Sequence, residues 1–238
     1  MKIHNRYKKN FGIMFDEELQ QKCLNKTIAI IGLGGCGGYI LEHFIRLGVK
    51  RIFAFDGDKF EETNLNRQRF CNSETLNKNK ASAAFESAKK INSEIPLFFI
   101  EDFFSEKYLN LIFENNIDLI IYAADYYTNL IELNKAITKC LIHNIPIIKV
   151  GIGETSIIAQ FIERKHPHMW IEAKVAAINQ VNEGPCNTIA CLSHYCALSA
   201  CLVLELFLSF IKNPKLESCS LIYDLKRRNL YERPCLEP

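Results

Sequence analysis

The chain lacks the paired cysteines that usually hold a structural zinc ion. It has ten cysteines, but no two of them stand in a C-x-x-C pair. The N-terminal stretch "MKIHNRYKKNFGIMFDEELQ" also lacks the apolar segment of a secretory signal. We therefore expect a cytoplasmic protein with reduced thiols instead of a disulfide framework, and no zinc.

A strong excess of charge of one sign is absent as well. The formal net charge is +2, too small to create a field that attracts nucleic acid or anionic lipid. We therefore expect neither a nucleic-acid partner nor a membrane.

One long apolar run, residues 189–211, raises the alternative of a membrane helix. It contains His194 and Glu205, whereas a membrane span needs about 20 apolar residues with few or no charges. We interpret the run as a helix buried against a sheet. Four cysteines, one just before this run and three within it, recur at a spacing of five residues. Five residues is not a helical repeat, so we expect them to spread around the helix without forming one metal-binding face. They are Cys186, Cys191, Cys196 and Cys201.

Strand-like and helix-like patterns alternate through residue 151. This alternation predicts a doubly wound, mostly parallel α/β sheet. The predicted strands are 27–32, 51–56, 97–102, 117–125 and 145–151, and the predicted helices are 37–49, 78–92, 105–116 and 129–144.

The pattern changes after residue 151. A strand over 156–164 has no crossover helix behind it, and a polar loop, the apolar helix and a last strand over 220–225 follow. No internal repeat or linker interrupts the chain. We expect one domain over 1–238, with an N-terminal helical arm at 1–26 and an antiparallel extension within 152–238.

A glycine-rich turn, "GLGGCGG", follows the first predicted strand and precedes the first helix. Gly32-x-Gly34-x-x-Gly37 in this context predicts a nucleotide-binding turn, because glycines admit a phosphate to the backbone and the helix N-terminus supplies N–H groups. Asp56 ends the next strand, where an acid can accept hydrogen bonds from ribose hydroxyls. The turn alone does not distinguish NAD from ATP, and a turn that merely packs helix on strand is the alternative.

A polar cluster, "FDGDKFEETNLNRQRF" at 55–70, follows Asp56 directly. A hydride-transfer enzyme has no evident use for it, whereas an enzyme that cleaves ATP between its α- and β-phosphates must hold a triphosphate and neutralise charge on pyrophosphate. Arginine supplies fixed donors to phosphate oxygens, and Lys80 begins the next helix. Asp125, at the tip of a predicted strand, could hold Mg²⁺.

These joined motifs resemble the ThiF/MoeB/HesA group of E1-like activating enzymes. The resemblance runs from about residue 6 to 212 and includes "IAIIGLGGCGG", the 55–70 cluster, Lys80 and an apolar strand ending in "AAD". It implies a Rossmann-like fold that binds MgATP. It also implies adenylation of the C-terminal glycine carboxylate of a small ubiquitin-like sulfur-carrier protein with a Gly-Gly tail, by a homodimer.

The resemblance also implies roles for individual residues. Asp56 would bind ribose, Asp125 would place Mg²⁺, and Arg67, Lys80 and Asp125 would act in catalysis. Cys186, before the apolar helix, would form a thioester or accept sulfur, unless it is one incidental cysteine among many. The expected nucleotide-binding residues are Gly32, Gly34, Gly35, Gly37, Asp56, Asp58, Asn64, Arg67, Gln68 and Lys80.

One position departs from the family. "NRYKKNFGIMFDEELQQKCLNK" looks like the family's opening helix, from which an arginine reaches the partner subunit's site. Lys9 stands at that position, with Arg6 nearby, and lysine lacks the bidentate fork of arginine.

Three other functions stay open. The chain could adenylate another carboxylate, on a peptide or a tRNA base. It could be a non-catalytic subunit of a heterodimeric activating enzyme, which the departure at Lys9 favours. It could also be a nicotinamide oxidoreductase, although this would leave the 55–70 cluster unused.

Overall fold

A computed structural model of the chain describes residues 4–124, 130–167, 170 and 191–234. Within these residues one eight-stranded sheet has the order β3-β2-β1-β4-β5-β6-β7-β8. Its strands are β1 (Thr27–Ile31), β2 (Arg51–Phe55), β3 (Leu97–Ile100), β4 (Leu119–Tyr122), β5 (Ile147–Ile152), β6 (Ser156–Ile162), β7 (Cys219–Asp224) and β8 (Asn229–Pro234).

The first five strands run parallel, as predicted. β1 lies at their centre and pairs with β2 on one side and β4 on the other, with Ile28 opposite both Ile52 and Leu119. Every residue of β1 and of β4 is buried, which is why both read as continuous apolar runs. The chain passes from β1 to β2 and β3 on one side and then returns to β4 on the other side of β1. Because the strand order reverses there, a crevice opens beyond the carboxyl ends of β1 and β4.

Helices cover both faces of the sheet, which confirms the doubly wound architecture. Alternate residues of β1 divide between two cores: Ile28 and Ile30 face one of them, and Ala29 and Ile31 face the other. The first core includes α1 (Glu17–Leu24), α2 (Gly35–Leu47), α3 (Lys80–Ile91) and α6 (Ser193–Lys212); the second includes α4 (Leu109–Glu114) and α5 (Leu130–Ile142).

The C-terminal strands β6, β7 and β8 pair antiparallel, as predicted for the extension. β8 itself was not predicted, since the last predicted strand is 220–225. Its residues are almost all exposed and it ends at Pro234, so no apolar alternation marks it. The turn before it includes Arg228 at φ +57°, where the sequence has no glycine to signal a turn.

In the described part of the chain, the N-terminal arm predicted over 1–26 consists of two helical pieces instead of one continuous helix. The chain forms a 3-10 helix over Asn5–Asn10 and then α1, and a turn that pairs Gly12 with Phe15 lies between them. Asp16 begins α1 by accepting a hydrogen bond from the amide of Leu19 at 2.8 Å. α1 therefore has its own cap and does not continue the 3-10 helix.

The apolar run forms α6, which is long and apolar enough by length and composition to cross a membrane. One face of it, including Val203 and Phe207, is buried in the first core. It packs there against α2, β5 and β6. This confirms the expected helix buried against a sheet.

Candidate functional site

The candidate site lies at the crevice beyond β1, where the glycine turn leads into α2. Gly32 has φ +90°, and a Cβ there would lie 2.9 Å from the Cα of Ala124, which follows β4. A Cβ on Gly37 would lie 1.9 Å from the carbonyl oxygen of Gly32. Only glycine fits either position, so the turn brings the start of α2 close against the ends of both strands.

The N-terminus of α2 has no side-chain cap among the described residues. Its N-cap residue is Gly34, which makes no side-chain hydrogen bond. The first-turn amides therefore keep their donors and the positive end of the helix dipole for an anion. This arrangement suits a phosphate group.

Asp56 connects this turn to the loop after β2. It is buried, and its two carboxylate oxygens accept hydrogen bonds from the backbone amides of Leu33, at 2.7 Å, and Asp58, at 2.9 Å. Burial raises the pKa of Asp56, while Lys80 and the two amides oppose that rise. The carboxylate therefore stands oriented at the position predicted for a ribose ligand, with lone pairs left to accept from hydroxyls.

Lys80 approaches the same loop from α3. It is the first residue of that helix, whose N-cap Asn79 accepts hydrogen bonds from two first-turn amides. Its buried side chain donates from Nζ to Oδ2 of Asp58 at 3.3 Å. The exposed Asp58 thus holds a cation that an incoming phosphate could draw toward itself.

Gln68 presents an unsatisfied polar atom to the turn. The residue is buried, and its Nε2 lies 3.7 Å from the position of a Cβ on Gly34. Its Oε1 is buried without a hydrogen-bond partner among the described residues. A buried acceptor without a partner costs about 1–3 kcal/mol, so Oε1 is available to a donor on a molecule that enters beside the turn.

Asn64 and Arg67 lie near the glycine turn, but their side chains form hydrogen bonds within their own loop. Asn64 closes a capping box in which its Oδ1 accepts from the amide of Glu61 at 3.1 Å. The guanidinium of Arg67 donates to the carbonyl of Thr63 at 3.0 Å, while Arg67 Cγ lies 3.9 Å from where a Cβ on Gly35 would stand. The stem is thus beside the turn, and a rotation of the side-chain end would bring donors to it.

Arg69 belongs to another cluster, although the sequence groups it with Arg67. It forms an ion pair with Glu42 of α2, which also pairs with Arg46 at 2.8 Å. Burial opposes ionisation of Glu42, but hydrogen bonds from Arg69 and Arg46 outweigh it and lower the pKa of Glu42. This network holds the 55–70 segment onto α2.

The structure does not bring Lys9 or Arg6 to this site within one chain. Both belong to the 3-10 helix, whose Tyr7 packs under Gly48 at the C-terminal end of α2. Since α2 has 13 residues, its two ends lie about 20 Å apart. Arg6 is near Glu94, at 3.7 Å, and the exposed Lys9 could act only on another copy.

Two predicted residues, Asp125 and Cys186, lie outside the described residues. Among the residues that are described, no group of three or more His, Cys, Asp or Glu is arranged to hold a metal ion. The predicted magnesium ligand therefore stays a prediction.

An aromatic side chain at the crevice was missed by sequence reasoning. Phe103 follows β3, and a Cβ on Gly57 would lie 2.7 Å from its ring. The half-exposed ring adjoins the loop that carries Asp56, and such a face can stack on a base. An aromatic residue just beyond a strand was the available signal.

The predicted spread of cysteines around the apolar helix is wrong for Cys191 and Cys196. Their sulfur atoms lie 3.3 Å apart. Cys191 precedes α6, which begins at Ser193, so helical periodicity does not apply to the pair. Cys196 lies under the turn, 2.8 Å from the position of a Cβ on Gly35.

Comparisons with known proteins identify similar sequences and a similar fold. A family model described as the ThiF family matches residues 7–238. A tRNA threonylcarbamoyladenosine dehydratase of Bacillus subtilis is 32% identical over 124 residues, which are 52% of this chain and 48% of that protein. The SUMO-activating enzyme subunit uba-2 of Caenorhabditis elegans is 30% identical over 136 residues, 57% of this chain and 23% of that protein.

The chain spans about half the length, or less, of these two curated relatives. Among solved structures, Escherichia coli MccB with ATP superposes with a TM-score of 0.71 at 21% identity. The match covers 97% of this chain and 72% of that one. At this identity the likeness shows a common fold.

Proposed function

Because the chain belongs to the ThiF family, with a family match from residue 7 to 238, we propose that it is an ATP-dependent adenylyltransferase. It transfers AMP to a carboxylate and releases pyrophosphate. The observation that carries the proposal is the uncapped first turn of α2, beside which the orphaned Oε1 of Gln68 lies buried. Asp56 and Lys80 complete the arrangement at positions suited to ribose and phosphate.

Each group has a role that its position supports. Asp56 accepts from the ribose hydroxyls, the α2 amides bind phosphate oxygens, and Lys80 with Arg67 balances the charge that develops on pyrophosphate. The incoming carboxylate forms a bond to the α-phosphorus as the bond to the bridging oxygen of pyrophosphate breaks. It needs no protein base because it is already ionised at neutral pH. Positioning and charge stabilisation therefore supply the catalysis.

Asp125 is proposed to bind Mg²⁺, which would supply further charge neutralisation at the phosphates.

The proposed acceptor is the C-terminal carboxylate of a small ubiquitin-like sulfur-carrier protein that ends in Gly-Gly. Two features support a polypeptide acceptor: a relative is a SUMO-activating subunit, and the net charge of +2 gives little attraction to polyanions. A carboxylate on a tRNA base is the second candidate, because the Bacillus subtilis relative is a tRNA threonylcarbamoyladenosine dehydratase.

Exchange of labelled pyrophosphate into ATP tests the reaction. We expect exchange that depends on a Gly-Gly-ended carrier and is lost in Arg67→Ala and in Asp125→Ala. Lys89→Ala, an exposed lysine on the far turn of α3, should exchange like the unaltered chain. Full exchange in Asp125→Ala would remove the metal assignment, and full exchange in Arg67→Ala would contradict the phosphate-binding role of that residue.

Two comparisons separate the acceptors. A gel shift with bulk tRNA at physiological salt should show no complex if a carrier protein is the acceptor. Exchange stimulated by tRNA and indifferent to any carrier would replace the first candidate with the second.

We also propose that the enzyme is a homodimer in which Lys9 serves the partner's site. Mixing Lys9→Ala chains with Arg67→Ala chains should then restore exchange, because one site of each mixed dimer has both residues intact. Activity of Lys9→Ala alone at the unaltered level would contradict this role.

Cys186 is proposed as a thioester or sulfur-accepting residue, and Cys186→Ser should keep ATP exchange while losing any covalent adduct with the carrier.

A further inference from the structure

Three thiols converge where the first turns of α2 and α6 meet. Cys36 is the second residue of α2, Cys196 is the fourth of α6, and Cys191 lies two residues before α6. The sulfurs of Cys191 and Cys196 are 3.3 Å apart. The thiol of Cys196 also interacts with that of Cys36, so one sulfur contacts both neighbours.

Other contacts fix this cluster against the candidate nucleotide site. The hydroxyl groups of Tyr39, on α2, and Ser193, on α6, hydrogen-bond at 2.7 Å. Cys196 Sγ stands 2.8 Å from the position of a Cβ on Gly35, the first residue of α2. The cluster is therefore built into the wall behind the phosphate-binding turn.

Among the residues described, no group of three or more His, Cys, Asp or Glu side chains is arranged to hold a metal ion. The three sulfurs differ in access: Cys196 is fully buried, Cys36 is 8% exposed and Cys191 is half-buried. A small solute therefore reaches Cys191 first.

We propose that Cys191 and Cys196 form a reversible disulfide on exposure to a hydroperoxide, and that this disulfide weakens nucleotide binding at the adjacent turn. The second half of the proposal rests on the proposed function; the first does not. The contact distance between the two sulfurs carries the proposal, since a disulfide can form between thiols already in contact.

The chemistry balances as a two-electron oxidation of the dithiol. The Cys191 thiol loses its proton, and the thiolate attacks one oxygen of hydrogen peroxide. The O–O bond breaks, and the departing hydroxide takes up that proton, so a sulfenic acid and water result. The Cys196 sulfur then attacks the sulfenic sulfur, the S–O bond breaks, and the hydroxyl leaves as a second water with the Cys196 proton. Hydrogen bonding to Cys191 and Cys36, followed by burial, raises the pKa of Cys196 far above the ordinary range, which supports Cys191 as the group that meets peroxide.

Formation of the bond has a direct structural consequence. An S–S bond is about 2.05 Å long, whereas the sulfurs now lie 3.3 Å apart. The pair must therefore close by more than 1 Å, and we expect part of that movement to shift the Cys196 sulfur relative to Gly35. The first turn of α2 then loses the packing contact with the Cys196 sulfur that holds its amides in place.

Mass mapping tests the disulfide without reference to activity. After hydrogen peroxide treatment and alkylation of the remaining thiols, chymotrypsin cleaves after Tyr195, between the two cysteines. We expect two peptides that stay joined until a dithiol reductant is added. Cys191→Ser should abolish the joined species, and Cys201→Ser, which removes an exposed thiol from the same helix, should keep it. Full alkylation of both Cys191 and Cys196 after peroxide would overturn the proposal.

Calorimetric titration with ATP tests the consequence. We expect the oxidised chain to bind ATP at least about tenfold more weakly, because misplacement of a positioning group by about 1 Å is costly. The affinity should recover after reduction. Cys191→Ser should bind equally well before and after peroxide. A mapped disulfide with unchanged ATP affinity would overturn the nucleotide half of the proposal. If the reduced chain binds no ATP, the proposed function and the nucleotide half of this proposal are both overturned. The proposal that the disulfide forms is unaffected by that result.

Discussion

The buried carboxylate of Asp56 accepts a hydrogen bond from the backbone amide of Leu33 at 2.7 Å. The acid after β2 is thereby joined to the glycine turn after β1, and its second oxygen binds the amide of Asp58. One side chain consequently sets the geometry of two loops that meet at the crevice.

Replacing Asp56 with asparagine should weaken ATP binding by about tenfold or more. The amide nitrogen would face a backbone donor, and the loss of a charged acceptor corresponds to about 1.5–3 kcal/mol. Titration calorimetry gives the dissociation constant. Asp118→Asn is a matched control. Asp118 accepts hydrogen bonds from the amide of Thr27 and from Lys26 at the amino-terminal ends of β1 and β4, away from the crevice. This substitution should lower stability but leave ATP affinity unchanged, and equal losses of affinity would contradict a binding role for Asp56.

Replacing Gln68 with methionine should separate stability from binding. It removes the orphaned acceptor at nearly constant volume, so the free energy of unfolding should stay constant or rise by about 1 kcal/mol, while ATP affinity falls. Urea unfolding and calorimetry measure the two effects.

Gln20 offers the comparison for this variant. It is also buried, but it accepts from Asn10 at 2.8 Å and donates to the carbonyl of Leu47 at 2.7 Å. Gln20→Met should therefore lose about 1–3 kcal/mol of unfolding free energy. A loss of the same size in Gln68→Met would show that Oε1 has a partner after all.

Adding a methyl group at Gly35 should strain the contact with Cys196. The new Cβ would lie 2.8 Å from a buried sulfur, and overpacking of this kind costs about 1–3 kcal/mol. Cys196→Ala makes room, so Gly35→Ala should cost less in that background. A coupling energy of about 1 kcal/mol or more is expected from a double-mutant cycle of urea unfolding, and additive effects would contradict the contact.

Glu42→Gln should destabilise the chain by about 1–2 kcal/mol at neutral pH, because it weakens charged hydrogen bonds to Arg69 and Arg46. The folded-state pKa of Glu42 lies below its ordinary 4.5, so its contribution is complete above that value and is lost as pH falls through the folded pKa. Urea unfolding at pH 7 and at pH 4 should show the difference from the unaltered chain shrinking in acid. Glu18→Gln, from an exposed pair with Lys22, should show no resolved change at either pH.

The parallel half of the fold was predictable because local and tertiary preferences agree there. The run 27–32 is apolar on both faces, as a buried central strand requires, and the glycines after it can only form a tight turn. The strand β1, the helix α2 and the position of Asp56 follow directly.

Other features depend on partners distant in the chain. Arg67 and Arg69 are equivalent by spacing, yet Glu42, 27 positions before Arg69, draws only Arg69 away from the site. The contact of Cys191 with Cys196 depends on where α6 begins, and periodicity does not fix that residue. The orphaned oxygen of Gln68 could be recognised only after the surrounding atoms were placed.

The two edge strands of the sheet, β3 and β8, differ in how strongly they disfavour pairing with a strand of another chain. β8 ends in Glu232, Arg233 and Pro234, and charge and proline disfavour addition of another strand. β3 at the other end is short, but it presents Phe98 with 45% of its surface exposed. Partially unfolded chains should therefore associate with one another through the β3 edge of the sheet and not through the β8 edge.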